Sequence, residues 1–215
     1  MRQPAPESRC ASRRGDFIFR PMGSTPDEPR PWWTVRFGAV LRGLVLGAAL
    51  LGLAIVLWPG VERAVRTVRL HGEDPPARLL VPVEGVERGE LRDTWGDPRG
   101  GGTRRHRGVD IFASRRTPVV STTDGIVVRR GENPLGGRTV TILGPGGRRH
   151  YYAHLQQYGG HSEGDWVEAG EMIGFVGTSG NAPADAPHLH YAIFASGEAI
   201  DPYPRLAGPE PAAPR

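Results

Sequence analysis

Pro187-His188-Leu189-His190-Tyr191-Ala192-Ile193-Phe194 is the stretch from which the fold can be read. Two histidines one residue apart, set among apolar neighbours, have the period of two that predicts a strand over 188–194, closed by Ser196-Gly197. Both imidazoles then leave one face, about 6–7 Å apart at ~3.3 Å rise per residue. Leu189 points the other way, into a core. That spacing is too wide for a hydrogen bond between the two rings. It suits one metal ligand beside one group reaching the metal's bound water.

Such a strand needs partners, and the upstream sequence supplies them. Short apolar runs at 79–83, 118–122, 126–128, 139–143, 150–155, 166–167 and 172–176 alternate with turn residues, the all-β signature. Asp124-Gly125 predicts a hairpin between the second and third runs, and Gly144-Pro145-Gly146-Gly147 another further on. Ala169-Gly170 reads as a turn between the last two. With 31 glycines and 21 prolines in 215 residues, a helical bundle is excluded as the main architecture. No period of 20–50 residues recurs, so this is no repeat protein.

A second motif, His106-Arg107-Gly108-Val109-Asp110, carries a histidine and a carboxylate four apart. Gly108 and the β-branched neighbour disfavour a helix there. Fully extended, the two side chains would stand ~13 Å apart, so the motif needs a bend, and Gly108 permits one. With His188-x-His190 downstream, His106, Asp110 and one histidine of that pair make a two-histidine, one-carboxylate set. With a fourth position open, this is the ligand pattern of a catalytic zinc, other divalent metals being compatible.

These residues resemble the lysostaphin-like (LytM-type) zinc endopeptidases, which cut peptide bonds in peptidoglycan. The resemblance is carried by His106-Arg107-Gly108-Val109-Asp110, Tyr152-Ala153-His154-Leu155, Gly177-Thr178-Ser179-Gly180-Asn181 and Pro187-His188-Leu189-His190-Tyr191. Thr117-Pro118-Val119 with Asp124-Gly125, Val167-Glu168-Ala169-Gly170 with Ile173-Gly174, and Ile200-Asp201-Pro202 follow in the family's order, over about residues 80–205. The resemblance implies a mainly β, antiparallel-sheet domain over residues 79–206 and one Zn2+ held by His106, Asp110 and His190. It makes His154 and His188 the two further active-site histidines. His188 would accept the proton of a metal-activated water and pass it to the leaving amine, and His154 would hydrogen-bond the oxyanion. Tyr151, Tyr152, Tyr191 and Trp166 read as core or cleft wall, Asn181 as a turn or substrate contact, and His71, His150 and His161 as ordinary packed or exposed residues.

Ahead of this domain, residues 37–58 are apolar, with no charge from Gly43 to Trp58, and approach the ~20 residues that span a bilayer. Trp32, Trp33 and Trp58 flank them, and Arg20, Arg30, Arg36 and Arg42 precede or open the stretch. That asymmetry predicts a single-pass anchor in the cytoplasmic (inner) membrane, with the N-terminus inside and the rest periplasmic or extracytoplasmic. A cleaved signal peptide is the competing reading, opposed by Leu57-Trp58-Pro59 with no small-x-small site close behind. Residues 1–36 are expected to be a disordered cytoplasmic arm in which Met22 offers a second start. Residues 59–78 read as a linker, with a short helix and a proline-stiffened spacer, and 207–215 as a disordered tail.

Lysine is absent, so all 27 basic residues are arginine. Residues 1–42 hold eight arginines against four acids, which accounts for the whole net charge of +4. The sequence pI of 9.8 is therefore a property of the arm, and nucleic acid is not an expected partner. Cys10, alone, excludes an internal disulfide and a cysteine metal cluster. The expected partners are peptidoglycan peptides, the membrane, and cell-wall or division proteins. Two other functions compete with a wall endopeptidase. One is a non-catalytic regulator that activates a separate amidase, opposed by the complete ligand set and the lack of coiled-coil heptads. The other is a metallopeptidase of the same chemistry acting on glycine-rich proteins.

Overall fold

A computed structural model describes residues 32–208, with side chains from Phe37 onward. The arm expected before residue 32 and the tail expected after residue 208 lie outside the described residues. Two compact units divide the chain, residues 1–52 and 53–215.

Helix α1 (Trp32–Gly72) takes in Trp32–Arg36, expected to be part of a disordered arm. It does not end at Trp58 but carries Pro59 within it and runs on to Gly72, through most of the expected linker. Its apolar window has a mean hydropathy of 2.4 and no buried residue, so this helix is long and apolar enough to cross a membrane. Near its C-terminal end the surroundings change. Leu70 is buried with Ile126, Leu143 and Trp166, and the Arg66 guanidinium lies 5.1 Å from the Trp166 ring centre. The second unit thus begins upstream of Leu79.

That unit is an antiparallel sheet of nine strands, with a separate two-stranded ribbon of β1 (Pro98–Arg99) and β2 (Arg104–Arg105). The strand read first from the sequence is its hub. β10 (His188–Ala195) pairs with β7 (Arg149–Tyr158) on one side, and with β3 (Val109–Phe112) and β11 (Glu198–Ile200) on the other. Beyond β7 come β6 (Gly137–Leu143), β5 (Gly125–Asn133) and β8 (Trp166–Val167). β4 (Pro118–Val120) joins through β9 (Met172–Val176), which pairs with β7. A short helix, α2 (Tyr203–Ala207), closes the described chain.

Two local expectations are corrected. Residues 79–83 contribute only one bridge, Val83 to Val119, rather than a strand. Asp124-Gly125 is not a hairpin turn, because β4 pairs with β9 and β5 with β6. There the Asp124 carboxylate instead accepts the Ala169 N–H at 2.8 Å. The Gly144–Gly147 hairpin between β6 and β7 is present, with Gly146 and Gly147 left-handed at φ 70° and 65°.

The alternation read for β10 decides which face is buried. Leu189, Tyr191 and Ile193 enter the core with Val109 and Ile111 of β3 and Tyr152 of β7. Each large apolar side chain buried there contributes roughly 1.5–3 kcal/mol. The core side also holds a polar knot. Thr122 Oγ1 lies 2.9 Å from Tyr152 Oη and 3.0 Å from Tyr191 Oη, and His150 Nδ1 lies 2.7 Å from Tyr191 Oη.

His150 is 1% exposed, and burial, with the charges of Arg148 and Arg205 nearby, pushes its pKa down to about 3. The folded ring stays neutral while the unfolded chain takes a proton below about pH 6.5. Stability tied to His150 is therefore present above pH 6.5 and lost as the pH falls toward 3, at about 1.4 kcal/mol per pH unit. His150→Phe is expected to flatten the fall of the urea midpoint between pH 6.5 and 4, at some cost in stability at pH 7. An unchanged acid slope in the variant would refute this assignment.

Candidate metal centre

The opposite face of β10 carries His188 and His190, and the register brings Asp110 of β3 directly across from His190. His106 arrives from the bend before β3, where its backbone N–H donates to Asp97 O at 2.8 Å. Three atoms converge. His106 Nε2 lies 2.9 Å from His190 Nδ1, His190 Nδ1 lies 3.0 Å from Asp110 Oδ1, and Asp110 Oδ1 lies 3.1 Å from His106 Nε2. Donors about 2.0–2.1 Å from a tetrahedral zinc would stand ~3.3 Å apart, so a triangle of this size and chemistry fits a small divalent cation. Among the described residues, this is the group of histidine, cysteine and acidic side chains placed to hold one.

The bend that joins His106 to Asp110 lies at Gly108, though not for the reason read from the sequence. Gly108 is not among the left-handed glycines. Instead a Cβ there would meet Tyr191 O at 2.5 Å and the His190 ring at 2.7 and 2.9 Å. Only a glycine lets the backbone lie this close to β10.

His154 reaches the same face through an irregularity. Strict alternation along β7 from the core residue Tyr152 would send His154 into the core. However, Thr139 alone opposes both Ala153 and His154, a β-bulge marked by pairing of Val140 with Tyr152 and Arg138 with Leu155. His154 sits at φ 62°, a left-handed conformation that histidine adopts more readily than most residues. The bulge flips the parity, so Tyr152 and Leu155 are both core residues and His154 turns to the site. Its ring centre lies 4.9 Å from that of His188 and 5.9 Å from that of His190.

Backbone carbonyls fix three of the four rings in one tautomer. His106 Nδ1–H donates to Thr94 O at 2.6 Å, His154 Nδ1–H to Ser179 O at 2.8 Å, and His188 Nδ1–H to Ala186 O at 2.8 Å. A carbonyl only accepts, so each ring keeps its Nε2 lone pair free. His188 Nε2 lies 3.9 Å from Asp110 Oδ1. Burial, with the neighbouring His188 and His190, lowers the His154 pKa to about 4, against the Ser179 hydrogen bond, which raises it. For Asp110, burial opposes ionisation, but the adjoining His106 and His190 rings outweigh it and hold the carboxyl far below its usual range.

All five residues named from the sequence therefore lie together. No motif in the sequence pointed to the outer contacts. Thr94 Oγ1 accepts the Asp110 N–H at 3.0 Å, and Arg99 Nη2 donates to Asp110 Oδ2 at 2.5 Å. Phe112, half exposed, lies 5.2 Å from the His188 ring, and Tyr151 packs edge-on at 6.2 Å from His190. Beside Asp110 opens a groove of about 510 Å³ lined by Glu84, Glu90, Leu91, Phe112 and Thr117. A larger cavity of about 680 Å³, near Arg78, Arg88 and Pro145, includes none of the five.

The model of peptidase family M23 matches residues 104–202. The L-Ala--D-Glu endopeptidase of Bacillus subtilis (strain 168) is 43% identical over 126 residues, which are 54% of this chain and 39% of that protein. Lysostaphin of Staphylococcus simulans is 37% identical over 107 residues, 47% of this chain and 21% of that one. The chain thus spans well under half the length of these curated relatives. The solved catalytic domain of Staphylococcus simulans lysostaphin is 34% identical, covering 54% of this chain and 90% of that domain, with a TM-score of 0.48. Residues 104–202 of this chain thus form a domain of the peptidase family M23 type, similar over that stretch to these endopeptidases.

Proposed function

We propose that this protein is a membrane-anchored zinc endopeptidase that hydrolyses peptide cross-links or stem peptides of peptidoglycan. The supporting observation is the convergence of His106 Nε2, Asp110 Oδ1 and His190 Nδ1 within 3.1 Å of one another, beside two more histidines with free Nε2 atoms. His106, Asp110 and His190 would hold one zinc ion per domain. When bound, the ion supplies Lewis acidity and lowers the pKa of water from 15.7 to about 7.

His188 takes the proton of the attacking water at Nε2, its ring held by the Ala186 carbonyl, and passes it to the leaving amine. His154 is neutral at pH 7, with Nδ1–H committed to Ser179 O, so its Nε2 accepts rather than donates. It orients the incoming water by accepting a hydrogen bond from one of its O–H groups. Phe112 and Tyr151 form apolar walls beside the reacting bond. Residues 37–58 anchor the chain in the cytoplasmic membrane with the site outside, a reading supported by the exposed apolar surface of α1 and the arginines before it.

The test uses the full chain in detergent with purified peptidoglycan, with and without chelator, and mass measurement of released fragments. Cleavage at peptide bonds, lost with chelator and restored by zinc, is expected. Release only when a wall amidase is added would instead identify a non-catalytic regulator.

A further inference from the structure

The two oxygens of Asp110 face different neighbours. Oδ1 turns toward His106 and His190, at 3.1 and 3.0 Å. Oδ2 turns away from them and receives the Arg99 guanidinium at 2.5 Å. Arg99 itself comes from the β1–β2 ribbon, whose Gly100-Gly101-Gly102 turn has φ of 57°, 68° and 90°. The same segment supplies Thr94, which binds both the His106 ring and the Asp110 backbone N–H. Residues 94–106 thus form an outer cradle for two of the three converging side chains.

We propose that Arg99 is a positioning residue that makes Asp110 a one-oxygen ligand, which rests on the zinc reading above. A carboxylate can bind a metal through one oxygen or both. Engaging Oδ2 in a charge-assisted hydrogen bond removes the second oxygen from competition. The place left open by three protein donors then stays available to water and substrate. Asp110 is 9% exposed in its side chain and Arg99 38%, so the acceptor is walled in while the guanidinium approaches from the rim. A rim arginine also gives the Asp110 carboxylate a partner when the metal is absent.

Cobalt(II) loaded into the full chain in detergent reports coordination number through its visible absorption. The wild type is expected to give the strong bands of a four-coordinate ion. Arg99→Met is expected to give the weaker, shifted bands of five-coordination, with kcat reduced about 10- to 100-fold. Arg99→Lys, which keeps a cation able to reach Oδ2, is expected to restore the wild-type spectrum in large part. A wild-type spectrum in Arg99→Met, whatever its melting temperature, overturns the proposal and leaves Arg99 as a surface ion pair. Failure of the wild type itself to take up cobalt or zinc would instead overturn the metal reading.

Discussion

Alanine at His188 is expected to lower kcat/KM by about 10²–10⁴-fold while leaving one zinc bound per domain, whereas alanine at His190 should lose metal and activity together. The two residues share a strand face, two positions apart, and alternation alone makes them look equivalent. Their partners separate them. His190 is the cross-strand partner of Asp110 and places Nδ1 within 3.0 Å of its Oδ1. His188 stands 3.9 Å from the same oxygen, and its other nitrogen is tied to the Ala186 carbonyl. One completes the donor triangle, and the other looks into it from outside. Zinc content by atomic emission, measured beside fragment release from peptidoglycan, distinguishes the roles. If His188→Ala lost its zinc, or kept activity within about threefold, the division of labour would be wrong.

The second large effect is on structure and metal together. Gly108→Ala is expected to destabilise the domain by about 1–3 kcal/mol and to weaken zinc binding at least tenfold. The added carbon would lie 2.5 Å from the Tyr191 carbonyl, which sits in the middle of β10 between β3 and β7 and cannot retreat. The His190 ring, the other obstacle, is the part that can turn, and turning it takes Nδ1 out of the triangle. Gly131→Ala is the control, since a Cβ there has no heavy atom within 4 Å. Thermal melts with and without zinc, and competition with a chromophoric chelator, read both effects. A Gly108→Ala protein as stable and as zinc-avid as the Gly131→Ala control would show that the close approach is not required.

The sequence was most informative where a single strand period was at work. His188, Leu189, His190 and Tyr191 alternate as read because β10 is regular and one of its faces is buried. It misled at Asp124-Gly125, where a local turn signal cannot reveal that the next strand pairs with a different neighbour. It was silent at His154, whose direction depends on one extra residue opposite Thr139. The spacing of Tyr152 and Leu155 held the available hint, since two core residues three apart break a period of two. Arg99 and Thr94 left no trace, because their partners lie 11 and 16 residues away across a glycine-rich turn that carries no pattern.

The sequence by itself determined the β architecture, the apolar N-terminal helix and the five side chains with the right chemistry. The first two follow from residue type and local period, which the chain carries wherever it goes, and the five side chains were named by the motifs it shares with a known family. The tertiary structure alone decided which nitrogen of each ring faces the site, which oxygen of Asp110 faces the histidines, and that Gly108 is there for clearance rather than for a turn. Each of these depends on a carbonyl, a guanidinium or a strand brought from elsewhere in the chain, and local sequence does not encode such encounters.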